Sequence, residues 1–288
     1  MTFAIKSAER GHTVGLFEKS NELGGKVIPG SVPRIKFDIQ NYLAYLRHEA
    51  EEASKTGRLA IHYNTEVSLE SLKSEGYDAI VVAAGTKAVT PKLPGLEHAD
   101  VVQATALLAN PDLIGDAKEI VVVGGGVAGC EVAYWLKYEH GRDVSVVEML
   151  PYMMEGACTA NRGHLLHYMK QVGVKLYNCA KVTGFKDHSV SIKRNVSSGV
   201  PDPYNTWQPI LPKNIENPLA KKIGPEERDE DIKADLVVLA MGGKPDDALF
   251  FEAQRTHAAD ELYYIGDSFS AGKVLEATRA AYALAARI

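Results

Sequence analysis

Short apolar runs separated by glycine set the rhythm of this chain. Ile120–Val123 is continuous and β-branched, the pattern of a parallel strand buried on both faces, and Val144–Val147 repeats it after a turn at Gly141. Between them, apolar residues at helical spacing predict a helix from the glycines at 124–129 to about Tyr138. The first eighteen residues carry part of the same rhythm: Met1–Arg10 is helical in pattern, Gly11-His12 is a turn and Thr13–Phe17 a strand. Strand, helix and strand in succession predict an α/β chain with parallel sheets.

The connection between strand and helix carries the candidate chemistry. Gly124, Gly126 and Gly129 give G-x-G-x-x-G, and Glu148 closes the next strand 24 residues after Gly124. Each part of that pattern has a physical use in holding a dinucleotide. The first glycine permits a tight turn, the second lets backbone approach a pyrophosphate, and the third lets helix pack on strand. The helix start at Val127 and Ala128 offers unpaired N–H groups to phosphate, and the Glu148 carboxylate accepts from a ribose hydroxyl. A carboxylate repels a 2′-phosphate, and Met149-Leu150-Pro151 brings no cation, so NADH is preferred to NADPH. Arg142 and Arg162 are the residues able to reverse that preference.

Gly11 to Glu18 spans the same seven residues as Gly141 to Glu148. Allowing one extra residue in the later helix, Met1 stands where Cys130 stands, so residues 1–18 read as the second half of another βαβ unit. The strand and Gly-rich loop of Glu119–Gly129 have no counterpart ahead of Met1. The chain is therefore expected to be N-terminally truncated, and to hold a dinucleotide at this first site weakly or not at all.

Composition narrows the function classes. The 288 residues are 45% hydrophobic and 24% charged with a net charge of −5, ordinary for a globular protein of two domains. The acidic balance argues against nucleic acid as a partner. Cys130, Cys158 and Cys179 form no C-x-x-C pair, which removes a dithiol centre, a zinc ribbon and an iron–sulfur cluster held by this chain alone. The longest apolar run, Ile120 to Leu136, is broken by three consecutive glycines and contains Glu131, so no membrane span is expected and a cytoplasmic setting is. His164 and His167 lack a third ligand and read as surface residues, leaving no metal site. Cys130, Tyr152, Met153 and Met154 read as packing, and Tyr134, Trp135 and Tyr138 as sheet-facing or edge positions of their helix.

Further motifs carry a resemblance. Phe17-Glu18-Lys19 with Leu23-Gly24-Gly25, then Ile80-Val-Val-Ala-Ala84-Gly85-Thr86, resembles the FAD half of two-dinucleotide flavoprotein oxidoreductases. Leu236–Pro245, with Gly242 in it, resembles their return strand after the NAD(P)H domain, and Gly266-Asp267-Ser268 with Val274–Ala277 resembles their closing flavin motif. Ser20–Lys26, Pro33-Arg34, Val123–Glu131 and Gly266–Ala277 are most similar to the C-terminal region of old-yellow-enzyme-like reductases. That group comprises the 2,4-dienoyl-CoA reductases, 2-enoate reductases, NADH:flavin oxidoreductases and trimethylamine dehydrogenase.

The resemblance implies a glutathione-reductase-like α/β fold of two Rossmann-like dinucleotide-binding domains. An NAD domain at 116–244 is inserted into a discontinuous FAD domain at 1–115 and 245–288. It implies FAD held by Glu18, Lys19, Gly24 and Gly25, by Ala84, Gly85 and Thr86, and by Gly266, Asp267 and Val274, with Asp267 on the ribitol chain. NAD(H) falls to Gly124–Gly129, Glu148 and Gly242. In full-length members an FMN barrel and a 4Fe-4S cluster precede this region, so FMN and 4Fe-4S are expected only in a missing N-terminal part, in cis or as a subunit. The implied activity is hydride transfer from NADH to FAD, with electrons passed on to that part for reduction of an activated alkene or similar small molecule. The step needs no general acid or base, because the cofactor rings carry it, and no catalytic side chain is singled out. A nucleotide-holding module of the ADP type, without its own redox group, stays open, and a homo-oligomer is compatible with the sequence. Asn195 to Asp231, with six prolines and the charge run Glu226–Asp231, reads as a long solvated surface loop.

Overall fold

The computed structural model describes every residue except 208–210, 213 and 216. It divides into two compact units, residues 1–89 with 243–288, and residues 90–242. The chain opens with α1 (Thr2–Glu9), β1 (Val14–Phe17), the single turn α2 (Val27–Gly30), α3 (Phe37–Lys55), β2 (Leu59–His62), α4 (Leu69–Glu75), β3 (Ala79–Val82) and β4 (Thr86–Ala88). β1 runs parallel to β2, with Val14 opposite Leu59. The apolar stripe of α1, Ala4, Ile5 and Ala8, packs with Ala50 of α3 and Leu59 of β2 around Leu23. α4 has local reasons for both its ends: Ser68 accepts from the Ser71 N–H at its start, and Gly76 adopts the left-handed conformation at its close.

The second unit contains β5 (Val101–Gln103), α5 (Ala104–Ala109), β6 (Glu119–Val123), α6 (Val127–Tyr138), β7 (Asp143–Val147), α7 (Thr159–Val172), β8 (Lys175–Tyr177), β9 (Ala180–Lys186), β10 (Ser189–Asn195), β11 (Glu227–Lys233) and β12 (Leu236–Leu239). A parallel sheet runs β5-β12-β6-β7-β8, and an antiparallel sheet runs β11-β10-β9. Val121, Val123 and Val147 pack against Phe185, Val190, Ile192 and Ile232 of the antiparallel sheet. The alternate residues of β6 point the opposite way, toward α6, whose Trp135 and Leu136 are buried. This two-sided burial is why β6 is apolar at every position from Ile120 to Val123.

The chain then returns to the first unit through β13 (Gly243–Pro245), antiparallel to β4, followed by α8 (Ala248–Arg255), β14 (Glu261–Tyr264) and α9 (Val274–Ala285). β14 runs parallel to β3, and Ile80 and Val82 pack there with Leu72 and Phe250. Among the described residues β1 pairs only with β2 and β3 only with β14, whereas β6 of the second unit is paired on both sides.

Two expectations need correction. Residues 90–115, assigned to the first domain, belong to the compact second unit, because β5 pairs with β12 in its sheet. β5 is only three residues long, and its place depends on β12, far along the chain. The charge run is not part of a loop: Glu227–Asp231 lies in β11, the edge strand of the antiparallel sheet, registered on Asn195–Ser191. Charged residues on an edge strand are a recognised guard against edge-to-edge pairing. Part of the remaining excursion, at 208–210, 213 and 216, lies outside the described residues.

Candidate dinucleotide sites

The Gly-rich connection of the second unit is shaped by close backbone approach. β6 delivers Gly124 to the C-terminal edge of the sheet at φ +109°, where a Cβ would lie 2.5 Å from the Ala240 carbonyl oxygen. A Cβ on Gly129 would stand 1.9 Å from the Gly124 carbonyl oxygen, so the first turn of α6 is pressed onto the strand end. Around Gly126 nothing lies within 4 Å of an added Cβ, and the space over the helix start is open. Gly126 caps α6 without a side-chain bond, leaving the amides at Val127 and Ala128 available to an anion.

Glu148 follows β7 beside this loop. Its Oε2 accepts from the Gly125 N–H at 2.7 Å and its Oε1 from the Leu150 N–H at 2.8 Å. Neither arginine named as able to reverse the nucleotide preference is placed to do so. Arg142 precedes β7, at the end opposite Glu148, and donates to the Gly115 carbonyl at 3.0 Å. Arg162 is 3% exposed and donates from Nε to the Met153 carbonyl at 2.9 Å, holding the turn whose Met154 N–H bonds the Gly125 carbonyl. Gly242 lies beyond β12 at φ +76°, where the chain leaves the unit.

Met153 and Met154 are buried, as is Cys130, whose Sγ lies 3.4 Å from the Gly125 carbonyl oxygen. Burial, reinforced by the charges of Glu148 and Glu131, pushes the Cys130 thiol well above the usual thiol range. Desolvation therefore outweighs any acidifying effect of the helix start. A thiol whose pKa is raised stays protonated at neutral pH, so Cys130 is expected to resist iodoacetamide at pH 8 in the folded protein. Exposed Cys158 reacts first, and mass mapping of the labelled thiols checks the order. His164 and His167 are exposed on α7. Among the described residues no group of three or more His, Cys, Asp or Glu is placed to hold a metal ion, and no helix is long and apolar enough to cross a membrane.

In the first unit four separated segments meet through hydrogen bonds. Lys26 Nζ donates to Thr86 Oγ1 at 2.5 Å, Gly85 N–H to Ser268 Oγ at 2.9 Å, Asp246 N–H to the Gly85 carbonyl at 2.9 Å and Gly272 N–H to Asp267 Oδ1 at 3.0 Å. Burial holds the Lys26 ammonium below the usual lysine range, opposed by the charges of Asp267 and Asp246. Gly24 and Gly25 lead into Lys26, Ala84 links β3 to Gly85, and Gly266 precedes Asp267. Val274 opens α9, where Glu276 Oε2 accepts from the Lys273 N–H at 2.9 Å. Glu18 stands at the end of β1, its Oε1 accepting from both the N–H and the hydroxyl of Ser20 at 2.9 Å. Exposed Lys19 follows it, and neither shares a hydrogen bond with the cluster among the described residues.

Sequence reasoning did not single out Lys26, Asp246 or Ser268 as site residues. Lys26 and Ser268 follow recognisable motifs, Gly24-Gly25 and Gly266-Asp267, and were open to discovery on that ground. Asp246 follows Lys244-Pro245, a sequence with no signal beyond that of a turn.

A family model described as pyridine nucleotide-disulphide oxidoreductase matches residues 1–269. An NADH oxidase of Thermoanaerobacter brockii is 27% identical over 292 residues, covering 100% of this chain and 39% of its own length. A cinnamate reductase of Clostridium sporogenes is 33% identical over 174 residues, 59% of this chain and 25% of the relative. Among solved structures, a 2-naphthoyl-CoA reductase in complex with 2-naphthoyl-CoA superimposes with a TM-score of 0.80 at 25% identity, over 100% of this chain and 38% of that one. The chain thus spans well under half the length of these relatives.

Proposed function

The chain belongs to the pyridine nucleotide-disulphide oxidoreductase family, and from that premise we infer that it works as the module that takes hydride from NADH onto FAD and passes the electrons to a separate reductase domain. One observation carries the reading: the second unit holds open space at Gly126, over an uncapped helix start, with Glu148 beside it. There the amides of α6 would bind pyrophosphate and Glu148 would accept from the adenosine ribose.

The residues of the first unit fit FAD in part. Glu18 is an acid at a strand end, and Gly85, Thr86, Lys26 and Asp267 form a polar cluster suited to a ribitol chain and a flavin edge. Bound flavin would supply a two-electron acceptor able to release electrons onward. This chain's residues would bind, orient and set the local charge, with Lys26 contributing the cation. Among the described residues no two cysteines form a disulfide, and all three lie in the second unit, so the reading gives electrons to a partner domain rather than to a dithiol of this chain. That partner would carry FMN and an iron–sulfur cluster. The names cinnamate reductase and 2-naphthoyl-CoA reductase support a conjugated unsaturated acid or thioester as the end acceptor. A cytoplasmic setting belongs to the same reading.

A second reading, a module that holds nucleotide without redox work, is favoured by β1 and β3, each paired on one side only. No loop like Gly124–Gly129 then stands beside Glu18 among the described residues. The spectrum of the chain supplied with FAD, before and after anaerobic NADH, separates the two. Bleaching of the flavin band faster than in buffer is expected; NADH bound without bleaching would leave the second reading. Glu148→Ala is expected to raise the Kd for NADH more than that for NADPH, and equal changes would remove Glu148 from the ribose.

A further inference from the structure

The turn that follows Glu148 is laced to the segment after β8. Glu148 N–H donates to the Tyr177 carbonyl at 2.8 Å, Ala180 N–H to the Glu148 carbonyl at 2.9 Å and Cys179 N–H to the Leu150 carbonyl at 3.1 Å. The next carbonyl along, that of Pro151, accepts from Asn178 Nδ2 at 2.7 Å. The same amide nitrogen donates at 2.9 Å to the carbonyl of Pro201, in the excursion between β10 and β11. That excursion is fastened at the other end of β8 as well, where the Tyr204 hydroxyl donates to the Val174 carbonyl.

Asn178 is fully buried, and both of its N–H bonds go to carbonyl oxygens. Among the described residues its Oδ1 has no donor. Turning the amide over would set that oxygen against two carbonyl oxygens, so the acceptors fix its orientation. A buried oxygen without a partner is destabilising, which leaves the two Nδ2 bonds as the reason an asparagine suits this position.

The consequence falls on Glu148, whose Oε1 is held by the Leu150 N–H two residues on, at 2.8 Å. Aspartate closes such a loop readily, whereas glutamate has one more rotatable bond and more freedom to lose. The direction of the Leu150 N–H therefore matters. It is set by the two carbonyls that follow, Leu150 on the Cys179 amide and Pro151 on the Asn178 side chain.

We propose that Asn178 is a positioning residue for the adenosine ribose: by pinning the Pro151 carbonyl it keeps the Leu150 N–H on Glu148, and so holds the carboxylate in the pose that accepts from the ribose. Asn178 acts through Glu148 and not on the nucleotide. The inference rests on reading the second unit as a nicotinamide nucleotide site.

The test is a double-mutant cycle, read by fluorescence titration of NADH into the full chain, Asn178→Ala, Glu148→Ala and the variant carrying both. Asn178→Ala is expected to raise the Kd about tenfold, the size of one lost charge-assisted contact. In the Glu148→Ala background the same change should move the Kd by less than about twofold, because the group it positions is gone. A merely structural residue would cost the same in both backgrounds. Thermal melts report whether each variant is folded at the titration temperature. If Asn178→Ala is not, Asn178→Ser keeps one donor and carries the cycle, with an expected rise of about threefold. Equal rises in the two backgrounds, or no rise where Glu148 is present, would overturn the proposal. Failure of the underlying reading looks different: a parent that binds no NADH, or whose Kd Glu148→Ala leaves unchanged, refutes the ribose site itself and this proposal with it.

Discussion

Gly126→Ala is expected to fold normally and lose nicotinamide nucleotide, whereas Gly129→Ala is expected to damage the fold at the same loop. The two glycines are three residues apart and differ in what surrounds them. At Gly126 the backbone sits at φ −67°, which alanine adopts freely, and an added Cβ meets nothing within 4 Å. The extra methyl would project into the space a pyrophosphate needs and keep the helix amides from reaching it. Loss of two such charge-assisted bonds corresponds to roughly 3 kcal/mol, or about a hundredfold in Kd. The melting temperature should move by no more than about 2 °C, the range of a neutral surface change.

At Gly129 the added Cβ would lie 1.9 Å from the Gly124 carbonyl oxygen and 3.2 Å from the Ala240 Cβ. A backbone oxygen cannot rotate away as a side chain can, so α6 would have to lift from β6. Overpacking of that kind costs about 3 kcal/mol, which lowers the melting temperature by roughly 6–12 °C in a unit of this size. Thermal melts beside nucleotide titrations separate the cases. A Gly126→Ala variant that keeps full affinity would show that the open space over the helix start is not where phosphate binds.

A copy of residues 118–129 joined directly ahead of Met1 is expected to raise FAD affinity by about a hundredfold, from the added amide contacts alone. The argument comes from the second unit used as a template. There β6 lies between β12 and β7, and β7 leads into Glu148 as β1 leads into Glu18. By that template β3 and β1 of the first unit would take the corresponding positions, and each has one ladder edge unpaired among the described residues. A parallel strand between them would satisfy both edges, and its glycine loop would place amides beside Glu18. A control graft with alanine at the copy of Gly126 alone supplies the strand while obstructing the cradle, and should gain little affinity. FAD retained through gel filtration is the readout. Equal retention with and without the graft would show that the first unit binds flavin by other means or not at all.

How much of this was legible beforehand depended on the range of the forces involved. The glycine loop, its helix and the strands at β6 and β7 were readable because their causes are local. Sterics at Gly124 and two-sided burial of a β-branched run act between neighbours in the chain. Glu148 was identifiable for the same reason, being fixed in distance from the loop by one helix and one strand.

The polar cluster of the first unit was legible only in pieces. Lys26 reaches Thr86 across 60 residues, and Gly85 reaches Ser268 across 183. Single motifs named most of the members but not their bonding. The antiparallel sheet, with its charged strand at Glu227–Lys233, was hidden because that strand buries a single apolar side chain, Ile232, and so carries no apolar alternation to betray it. The linear order of residues therefore settled the local turns, the buried strands and the nucleotide fingerprint, since each follows from backbone sterics and apolar periodicity over a few residues. Tertiary structure alone decided which sheet β5 joined, which side chains met around Gly85 and which backbone amides the Glu148 carboxylate bonded. Those outcomes depend on strand order and ladder register between distant segments, and burial forces of that kind are not directional enough to be read from neighbours.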